Sequence, residues 1–368
     1  MLPQYGPAAK PRLAGDDQAA RLGAQQHGRI KAVKTGQGTG GQTVGQTGER
    51  PQIDAVVIGR NEGARLIACL ATLRGRVRRI IYVDSGSTDG SGAAAQAAGA
   101  EVVALDLTRP FTAARARNAG LARLAGGPAD FVQLVDGDCT IAPGWIETAA
   151  AALIAHPETA ITCGRRREEH PEVSVYNRLC DREWDTPVGE ATACGGDALA
   201  RRAALEAVGG FRDDLIAGEE PEMCLRLRRA GWRIWRLDAE MTRHDARILQ
   251  FGQWWQRSRR AGHAFAEGAH LHRAGPERHW RRETRRALIW GAGLPLAILL
   301  LMLVTPWAAL LALVYPAQIL RLALRGSGAG RWESALFTVL GKFAEAQGAL
   351  EFHLRRLRGK RRGLMEYK

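Results

Sequence analysis

The sequence lacks any CxxC pair. Its six cysteines, Cys69, Cys139, Cys163, Cys180, Cys194 and Cys224, are spread singly through the middle of the chain. This spacing predicts reduced and mostly buried thiols in a cytosolic domain, and it argues against a disulfide framework. The first residues also lack an apolar core of the length that a signal peptide requires, so no secretion signal is predicted.

The middle of the chain lacks an excess of positive charge. The net charge of the whole chain is +14, which is typical of proteins that bind nucleic acid or anionic membranes. Residues 53–242 nevertheless carry 23 basic and 27 acidic side chains, whereas residues 243–368 carry 22 and 8. A nucleic-acid enzyme is expected to place basic charge around its active domain. We therefore predict an anionic membrane surface as a partner, and no nucleic acid.

Residues 1–52 lack apolar periodicity. They are rich in Gly, Gln and Thr, as in KTGQGTGGQTVGQTGERPQ, and we predict a disordered N-terminal segment or an over-called translation start. Order is predicted to begin at Ile53. The overall hydrophobic content of 46% excludes a chain that is disordered throughout.

From residue 53 onward, short apolar runs alternate with helical patterns. The runs are IDAVVI, RRIIYVDS, EVVAL and DFVQLVDGD. Strands that alternate with helices of 10–15 residues predict an α/β fold with a doubly wound, mostly parallel sheet, whose ligands lie beyond the carboxyl ends of the strands. The polar groups Asn61-Glu62, Asp84 to Asp89 and Asp136-Gly-Asp138 all fall at such ends. This coincidence predicts a binding site there.

The corner VDSGSTDG, residues 83–90, has two interpretations. Asp84 can accept hydrogen bonds from a base or a ribose, and the small residues Ser85 and Gly86 let a ligand approach the backbone. The same letters also make a good turn, in which Ser87 or Asp89 caps the next helix. The residues alone leave both interpretations open.

Two acidic groups carry candidate chemistry. Asp136 and Asp138 flank a glycine at a strand end and suit Mg²⁺ or Mn²⁺ bridging a diphosphate, although DGD is also an ordinary turn. Glu219, Glu220 and Glu222 precede a helix, where the dipole favours acids. One of these carboxylates is alternatively a general base that takes a proton from an acceptor hydroxyl.

The region after residue 242 combines basic and apolar segments. Arg257, Arg259 and Arg260 either clamp a phosphate or meet lipid headgroups beside Trp254 and Trp255. We predict a basic linker over 266–286, a transmembrane or re-entrant helical hairpin over 287–324 and an amphipathic basic tail over 325–368. Positive charge on both sides of the hairpin places its ends on the cytoplasmic side. The alternative is a soluble helical hairpin packed on the domain.

Taken in chain order, these motifs resemble family 2 glycosyltransferases of the GT-A fold, membrane-associated bacterial type, over residues 53–265. VVIGRNEG resembles the opening strand and nucleotide loop, with Gly59 in place of the usual proline, and VDSGSTDG resembles the nucleotide-binding corner. ARARNAG is similar to a following helix of the family, and DGD is similar to its DxD element. GGDALARRAALEAVGGF resembles the acceptor-side segment, and GEEPEMCLRLRRAGW resembles the ED motif. TRHD resembles the segment that supplies a late histidine. QWWQRSRRAGH is only loosely similar to the QxxRW motif of processive members, which argues against a polymerising synthase.

The resemblance implies a role for each matched residue. Glu220, in place of the usual aspartate, is the implied catalytic base. The resemblance also implies a divalent cation, Mg²⁺ or Mn²⁺, held by Asp138 and His244, with Asp136 near the ribose or the metal. With the arginines already discussed, the predicted nucleotide-sugar-binding residues are Arg60, Asn61, Glu62, Asp84, Ser85, Gly86, Asp89, Arg117, Asp136, Glu219, Arg257 and Arg260.

The predicted function is inverting transfer of a sugar from a nucleotide-sugar donor, UDP-linked, to a hydroxyl acceptor. The apolar hairpin predicts a membrane lipid or lipid-linked saccharide as acceptor, at the cytoplasmic face of the bacterial inner membrane, in polysaccharide or glycolipid biosynthesis. Two alternatives are a non-catalytic, membrane-attached nucleotide-sugar-binding protein and a nucleotidyltransferase on a similar sheet. The second would need a glycine-rich basic loop, for which GRNEG is too short and too acidic.

Overall fold

The computed structural model describes residues 51–359. The disordered segment predicted for residues 1–52 therefore lies outside the described residues, except for Pro51 and Gln52. The last nine residues of the predicted basic tail, 360–368, also lie outside them.

One sheet organises the described part of the chain. Its nine strands are β1 Ile53–Gly59, β2 Arg79–Asp84, β3 Glu101–Ala104, β4 Phe131–Asp136, β5 Cys139–Ile141, β6 Thr159–Glu168, β7 Gly189–Glu190, β8 Ala198–Arg201 and β9 Arg233–His244. The order is β3-β2-β1-β4-β8-β6-β9-β5, with β7 paired to β9. Strands β3, β2, β1 and β4 run parallel, as do β6 and β9, whereas β8 is antiparallel to both neighbours, and β5 and β7 are antiparallel to β9.

The chain winds outward from β1 in both directions, first to β2 and β3 and then to β4 on the other side. This reversal is the topological switch point at which α/β sheets bind ligands. The fold class predicted from the sequence is confirmed, and β8 adds an antiparallel strand in the middle of the sheet.

Helices cover the sheet and continue beyond it. They are α1 Ala64–Leu73, α2 Ser91–Ala97, α3 Ala113–Leu124, α4 Trp145–Ala155, α5 Val175–Glu183, α6 Arg202–Ala207, α7 Glu219–Arg229, α8 Phe251–Leu271, α9 Arg281–Leu288, α10 Leu294–Met302, α11 Val314–Arg325 and α12 Arg331–Leu357. A π-helical turn, Ile289–Gly293, joins α9 to α10, and a 3-10 segment, Pro306–Leu313, precedes α11.

Burial explains why the apolar runs are strands. β1 is buried from Ile53 to Ile58, as a strand covered by helices on both faces should be. Helix α1 buries Leu66, Leu70 and Leu73 against this sheet, and each fully buried leucine contributes about 1.5–3 kcal/mol. Ile67 of the same helix is 39% exposed.

The C-terminal region contains two apolar helices long enough to cross a membrane. One runs continuously from Arg281 to Met302, and the other from Pro306 to Arg325. A soluble hairpin packed on the domain would bury these side chains, yet Leu296, Leu299 and Trp307 are 58%, 61% and 78% exposed. These apolar side chains are therefore not packed against the described part of the sheet domain.

The region predicted as a basic linker, 266–286, contains the end of α8 and the start of α9. Helix α8 packs along α12 at close range. Gly262 and Gly348 permit this approach, since an added Cβ at either position would collide with the facing helix backbone. Gly291, in the π-helical turn, makes the same close approach to Lys342 of α12. Helix α12 thus connects the sheet domain, through α8, to the base of the apolar hairpin.

Candidate functional site

The carboxyl ends of three neighbouring strands meet at one edge of the sheet. In the β-sheet register Gly59 of β1 lies beside Asp84 of β2, and Ile58 lies beside Asp136 of β4. The segments that follow are tied to β1, since the Ser85 amide donates to the Gly59 carbonyl at 3.0 Å and the Gly137 amide donates to Ile58 at 2.8 Å. The predicted convergence of the strand-end polar residues is therefore present.

A cleft of about 900 Å³ opens at this edge. Most of the predicted site residues line it, namely Arg60, Asn61, Glu62, Ser85, Arg117, Asp136, Asp138, Glu219, Glu220, His244, Arg257 and Arg260. The described residues that line the cleft do not include Asp84, Gly86 or Asp89. Asp84 ends β2, and Gly86 and Asp89 lie in the turn that follows Ser85. Any role of these three residues in nucleotide binding stays a prediction.

The VDSGSTDG corner is held by its own hydrogen bonds. Asp84 Oδ1 accepts from the Ser87 amide at 3.1 Å and from the Ser87 hydroxyl, and that hydroxyl accepts from the Asn61 amide at 2.9 Å. Asn61 Oδ1 in turn accepts from the Thr88 amide at 2.7 Å. Asp89 accepts from the Ser91 amide at 2.9 Å at the start of α2, which is the turn interpretation of that residue. Asp84 therefore fixes the loop that carries Asn61 into the cleft.

Asp138 and His244 form a buried pair. The antiparallel register sets Cys139 opposite His244, and this brings His244 Nε2 to 3.1 Å from Asp138 Oδ2. Both side chains are less than one-tenth exposed. Neighbouring ligands of an octahedral Mg²⁺-sized ion lie about 3 Å apart, so one carboxylate oxygen and one imidazole nitrogen at this separation fit such a cation. Asp138 and His244 are thus the residues that could hold the predicted metal.

Asp136, the other acid of DGD, contacts arginines. Arg117 donates to Asp136 Oδ1 at 2.7 Å, and Arg166 lies 4.0 Å from Oδ2. Arg117 also donates to Glu219 Oε1 at 2.8 Å. Burial by itself would lower the pKa of Arg117, but Asp136 and Glu219 raise it above its usual value, so the guanidinium stays charged. Asp136 and Glu219 are therefore positioned by a shared arginine.

Arg166 and Asp197 were not predicted from the sequence. Asp197 is fully buried and accepts hydrogen bonds from the Asp136 amide at 3.1 Å and from the Thr242 hydroxyl at 2.8 Å. Its Oδ2 atom also forms an ion pair with Arg166 Nη2 at 2.7 Å. Gly196 permits this packing, because an added Cβ there would lie 2.8 Å from Asp136 Oδ2. The Gly-Gly-Asp of the acceptor-side segment was the signal that could have identified Asp197.

Glu220 is the second residue of α7, lies at the cleft wall and is 7% exposed. Three donors reach its Oε1 atom: the Cys194 amide at 2.6 Å, the Cys194 thiol at 3.0 Å and the Cys224 thiol at 2.9 Å. Burial raises the pKa of Glu220, and the donors oppose that shift. A carboxyl group with a raised pKa in a cleft is suited to accept a proton near neutral pH.

Two arginines of α8 form the far wall of the cleft. Arg257 makes a bidentate pair with Glu183 at 2.8 and 2.9 Å, and Arg260 donates to the Ile216 carbonyl at 2.9 Å. Both line the cleft beside Gln253 and Leu249. Both guanidinium groups are held by neighbours in the protein, so their role in binding phosphate or lipid headgroups stays a prediction.

The mixed sheet, with acidic residues at the ends of its parallel strands, fits the GT-A fold, and two family models match the chain. The family described as "Glycosyl transferase family 2" matches residues 54–209, and "Glycosyl transferase family group 2" matches residues 132–324. The second match covers more than half of the chain. The chain belongs to the family 2 glycosyltransferases, as the sequence motifs predicted.

Individual relatives are more distant. The chain is 27% identical over 219 residues to the pre-mycofactocin glycosyltransferase of Mycobacterium tuberculosis, which covers 55% of this chain and 44% of that protein. It is 26% identical over 212 residues to the succinoglycan biosynthesis protein ExoA of Rhizobium meliloti, covering 53% of this chain and 64% of the relative. The chain therefore spans only about half to two-thirds of these relatives.

Among solved structures, the fold is similar to that of a mannosyltransferase from Pyrobaculum calidifontis, determined in complex with GDP-Man and Mn²⁺. The TM-score is 0.56 at 20% identity, and the match covers 82% of this chain and 88% of the other. This similarity supports the fold.

Proposed function

We propose that this chain is a membrane-attached, inverting glycosyltransferase that moves a sugar from a nucleoside diphosphate sugar to a hydroxyl acceptor. The observation that carries the proposal is that Asp138, His244, Asp136 and Glu220 line one cleft at the switch point of the sheet. Family membership supports the reaction class, and the exposed apolar hairpin supports the membrane setting.

The cleft residues have separate tasks in this mechanism. Asn61 and Ser85 lie at the strand tips, where the nucleoside would bind. Arg117 holds Asp136 and Glu219 in fixed positions, and Arg166 with Asp197 supports Asp136 from behind. Preorganised charges of this kind need not rearrange during the reaction, which is the main source of electrostatic stabilisation in enzymes.

Asp138 and His244 would hold a divalent cation, whose charge offsets that of the donor diphosphate. The specific ion is left open between Mg²⁺ and Mn²⁺, because one carboxylate and one imidazole are compatible with either. The arginines Arg257 and Arg260 on the opposite wall add positive charge for phosphate oxygens of donor or acceptor.

Glu220 acts as the general base. Its Oε1 atom is held by the Cys194 and Cys224 donors, and its Oε2 atom takes the proton of the acceptor hydroxyl. The acceptor oxygen forms a bond to the anomeric carbon while the bond from that carbon to the diphosphate oxygen breaks. Attack from the face opposite the leaving group inverts the anomeric centre.

The acceptor is proposed to be a lipid or lipid-linked saccharide. The cleft wall at Arg257 and Arg260 belongs to α8, which packs against α12, and α12 packs against the base of the hairpin. Exposed arginines precede the hairpin at Arg281, Arg282, Arg285 and Arg286, where anionic headgroups would meet them. This arrangement supports the proposal that the cleft lies close to a membrane surface, on the side where positive charge is retained.

The experiment that tests the proposal screens nucleotide sugars for hydrolysis or transfer by the purified full-length chain, with Mn²⁺ and lipid extract as acceptor. Glu220→Gln should lower turnover by about 10²–10⁴-fold, the usual contribution of a general base. The matched control is Glu147→Gln, since Glu147 is an exposed acid in the first turn of α4. It should leave turnover unchanged.

The alternative of a non-catalytic nucleotide-sugar-binding protein predicts a different result. Such a protein would bind the donor without turnover, and Glu220→Gln would change neither property. Retained donor binding together with lost turnover in Glu220→Gln supports the enzyme, whereas equal turnover in both forms would contradict the role of Glu220.

A further inference from the structure

The thiols of Cys194 and Cys224 lie 3.8 Å apart, and both contact Oε1 of the cleft-lining Glu220 carboxylate, at 3.0 Å and 2.9 Å. Cys194 precedes the glycine-rich turn before β8, whereas Cys224 lies one helical turn after Glu220 on α7. The three side chains are buried, and their ligand atoms Sγ, Sγ and Oε1 all lie within 4.8 Å of one another. They form a group separate from the Asp138–His244 pair, which offers an oxygen and a nitrogen.

The buried Glu220 carboxylate is held at its Oε1 atom by one backbone amide and two thiols. The strongest influences on its pKa are burial, the two thiols, the Cys194 amide and the neighbouring Glu219 carboxylate, and none of these carries positive charge. Thiols are weak hydrogen-bond donors. A charged carboxylate buried beside weak donors is costly unless a cation joins it.

The sulfur separation matches a zinc site. Two thiolates on a tetrahedral zinc ion, each at about 2.3 Å, are about 3.8 Å apart. A carboxylate oxygen on the same ion would lie about 3.6 Å from each sulfur, so Glu220 Oε1 would need to withdraw by about 0.6 Å. Glutamate has the rotatable bonds for that change, and the fourth position would face the cleft.

We propose that Cys194, Cys224 and Glu220 form a binding site for a thiophilic divalent cation, Zn²⁺, distinct from the Mg²⁺ or Mn²⁺ site. Binding releases the two thiol protons to solvent and makes two metal–sulfur bonds and one metal–oxygen bond, with no change in oxidation state. The ion occupies the carboxylate that serves as general base in the proposed function, on which this inference rests. Zn²⁺ therefore inhibits transfer.

The site is tested by metal binding, without turnover. Full-length protein, kept reduced with a phosphine and saturated with Mn²⁺ to fill the hard-ligand site, is titrated with Cd²⁺ while the ultraviolet thiolate-to-cadmium band is recorded. Cys194→Ser and Cys224→Ser should each weaken Cd²⁺ binding by about tenfold or more and reduce the band. Added Zn²⁺ should displace Cd²⁺ from the native protein.

Two matched controls separate this site from others. Cys139→Ser removes the thiol beside Asp138 and His244, and Cys180→Ser removes a buried thiol in a different cluster. Both variants should keep the band of the native protein. A band that persists in Cys194→Ser and Cys224→Ser, or that disappears with Cys139→Ser, would overturn the proposal.

If the serine variants fail to fold, zinc K-edge absorption of the native protein decides the question. The expected result is two sulfur neighbours at about 2.3 Å with the remainder oxygen or nitrogen. A shell with only oxygen and nitrogen would contradict the site.

The inhibition has its own readout. For each protein, the transfer rate with Zn²⁺ is divided by the rate of the same protein without Zn²⁺. The fold-decrease in rate should be at least ten times larger for the native enzyme than for Cys224→Ser. If Cd²⁺ binds as expected but Glu220→Gln keeps full turnover, the assignment of Glu220 as base fails while the metal site stands. If Cd²⁺ does not bind, the metal site fails and the proposed function is unaffected.

Discussion

His244 Nε2 lies 3.1 Å from Asp138 Oδ2, although 106 positions separate the two residues in the chain. The contact exists because β5 and β9 pair in antiparallel register directly after the DGD turn. In the proposed function, this nitrogen and this oxygen, both almost buried, would share one ion.

Removal of the imidazole should therefore weaken cation binding. We expect His244→Ala to lower the affinity for Mn²⁺ by about tenfold or more, measured by electron paramagnetic resonance of free Mn²⁺. His170→Ala is the matched control, because His170 is an exposed histidine near the surface end of β6. Equal Mn²⁺ affinity in the native protein and His244→Ala would exclude His244 as a ligand.

Arg117 should be a large contributor to stability. Its guanidinium is 3% exposed and bridges Asp136 and Glu219, so Arg117→Met leaves two acids in the cleft without their cation. We expect the free energy of unfolding to fall by about 3–5 kcal/mol, measured by chemical denaturation followed through tryptophan fluorescence.

The matched control lies on the same helix. Arg123 pairs with Glu101 but is 59% exposed, so Arg123→Met should change the free energy of unfolding by about 1 kcal/mol or less. A loss of similar size in both variants would indicate that the buried bridge has no special role.

Much of the fold followed from sequence because the central strands β1 and β4 are buried along almost their whole length and are unbroken apolar runs. IDAVVI and FVQLV could be identified as strands, and the acids after them could be placed at the same sheet edge.

The rest of the site depends on contacts distant in sequence. Arg166 and Asp197 meet because β8 pairs in antiparallel orientation with both β4 and β6. No local sequence pattern predicts this strand pairing. Helix α9 was interpreted as part of a linker because its sequence is dominated by four exposed arginines and has only two buried positions, Thr284 and Ala287. Local propensity could not reveal either feature.

The raised pKa of Glu220 has two consequences for pH dependence. Since burial raises the pKa in the folded state above the unfolded value, the folded chain holds this proton to higher pH. The contribution of this carboxyl group to stability is therefore present below the unfolded pKa and is lost as the pH rises through the folded pKa. Turnover should increase over the same window, because the base must be ionised.

The measurement compares native protein with Glu220→Gln. The melting temperature of the variant relative to the native protein should increase as the pH rises, and the acidic limb of the native kcat/KM profile should lie above the ordinary glutamate pKa of about 4.3. A limb at or below that value, or parallel melting profiles, would show that burial does not control this group.

The hairpin should govern membrane attachment. Leu296 and Leu299 are 58% and 61% exposed in the middle of the first apolar helix. A charged residue at the centre of a spanning helix costs about 2.5–3.5 kcal/mol, so Leu296→Arg with Leu299→Arg should move the protein from the carbonate-washed membrane fraction to the supernatant.

Leu107 and Val188 provide the control. They are exposed to a similar degree, 56% each, on the sheet domain. Arginine at both positions should leave membrane attachment unchanged. Retention of the hairpin variant in the washed membranes would contradict the attachment proposed here.

The most direct test of the account is equilibrium binding of nucleoside diphosphates, UDP and GDP, to the full-length protein by calorimetry, with and without Mn²⁺. The account predicts that the native protein binds one of them at least about tenfold more tightly with Mn²⁺, and that Asp138→Asn abolishes this gain. Binding that is equally tight without the cation, or unchanged in Asp138→Asn, would contradict a cation-assisted donor site in this cleft.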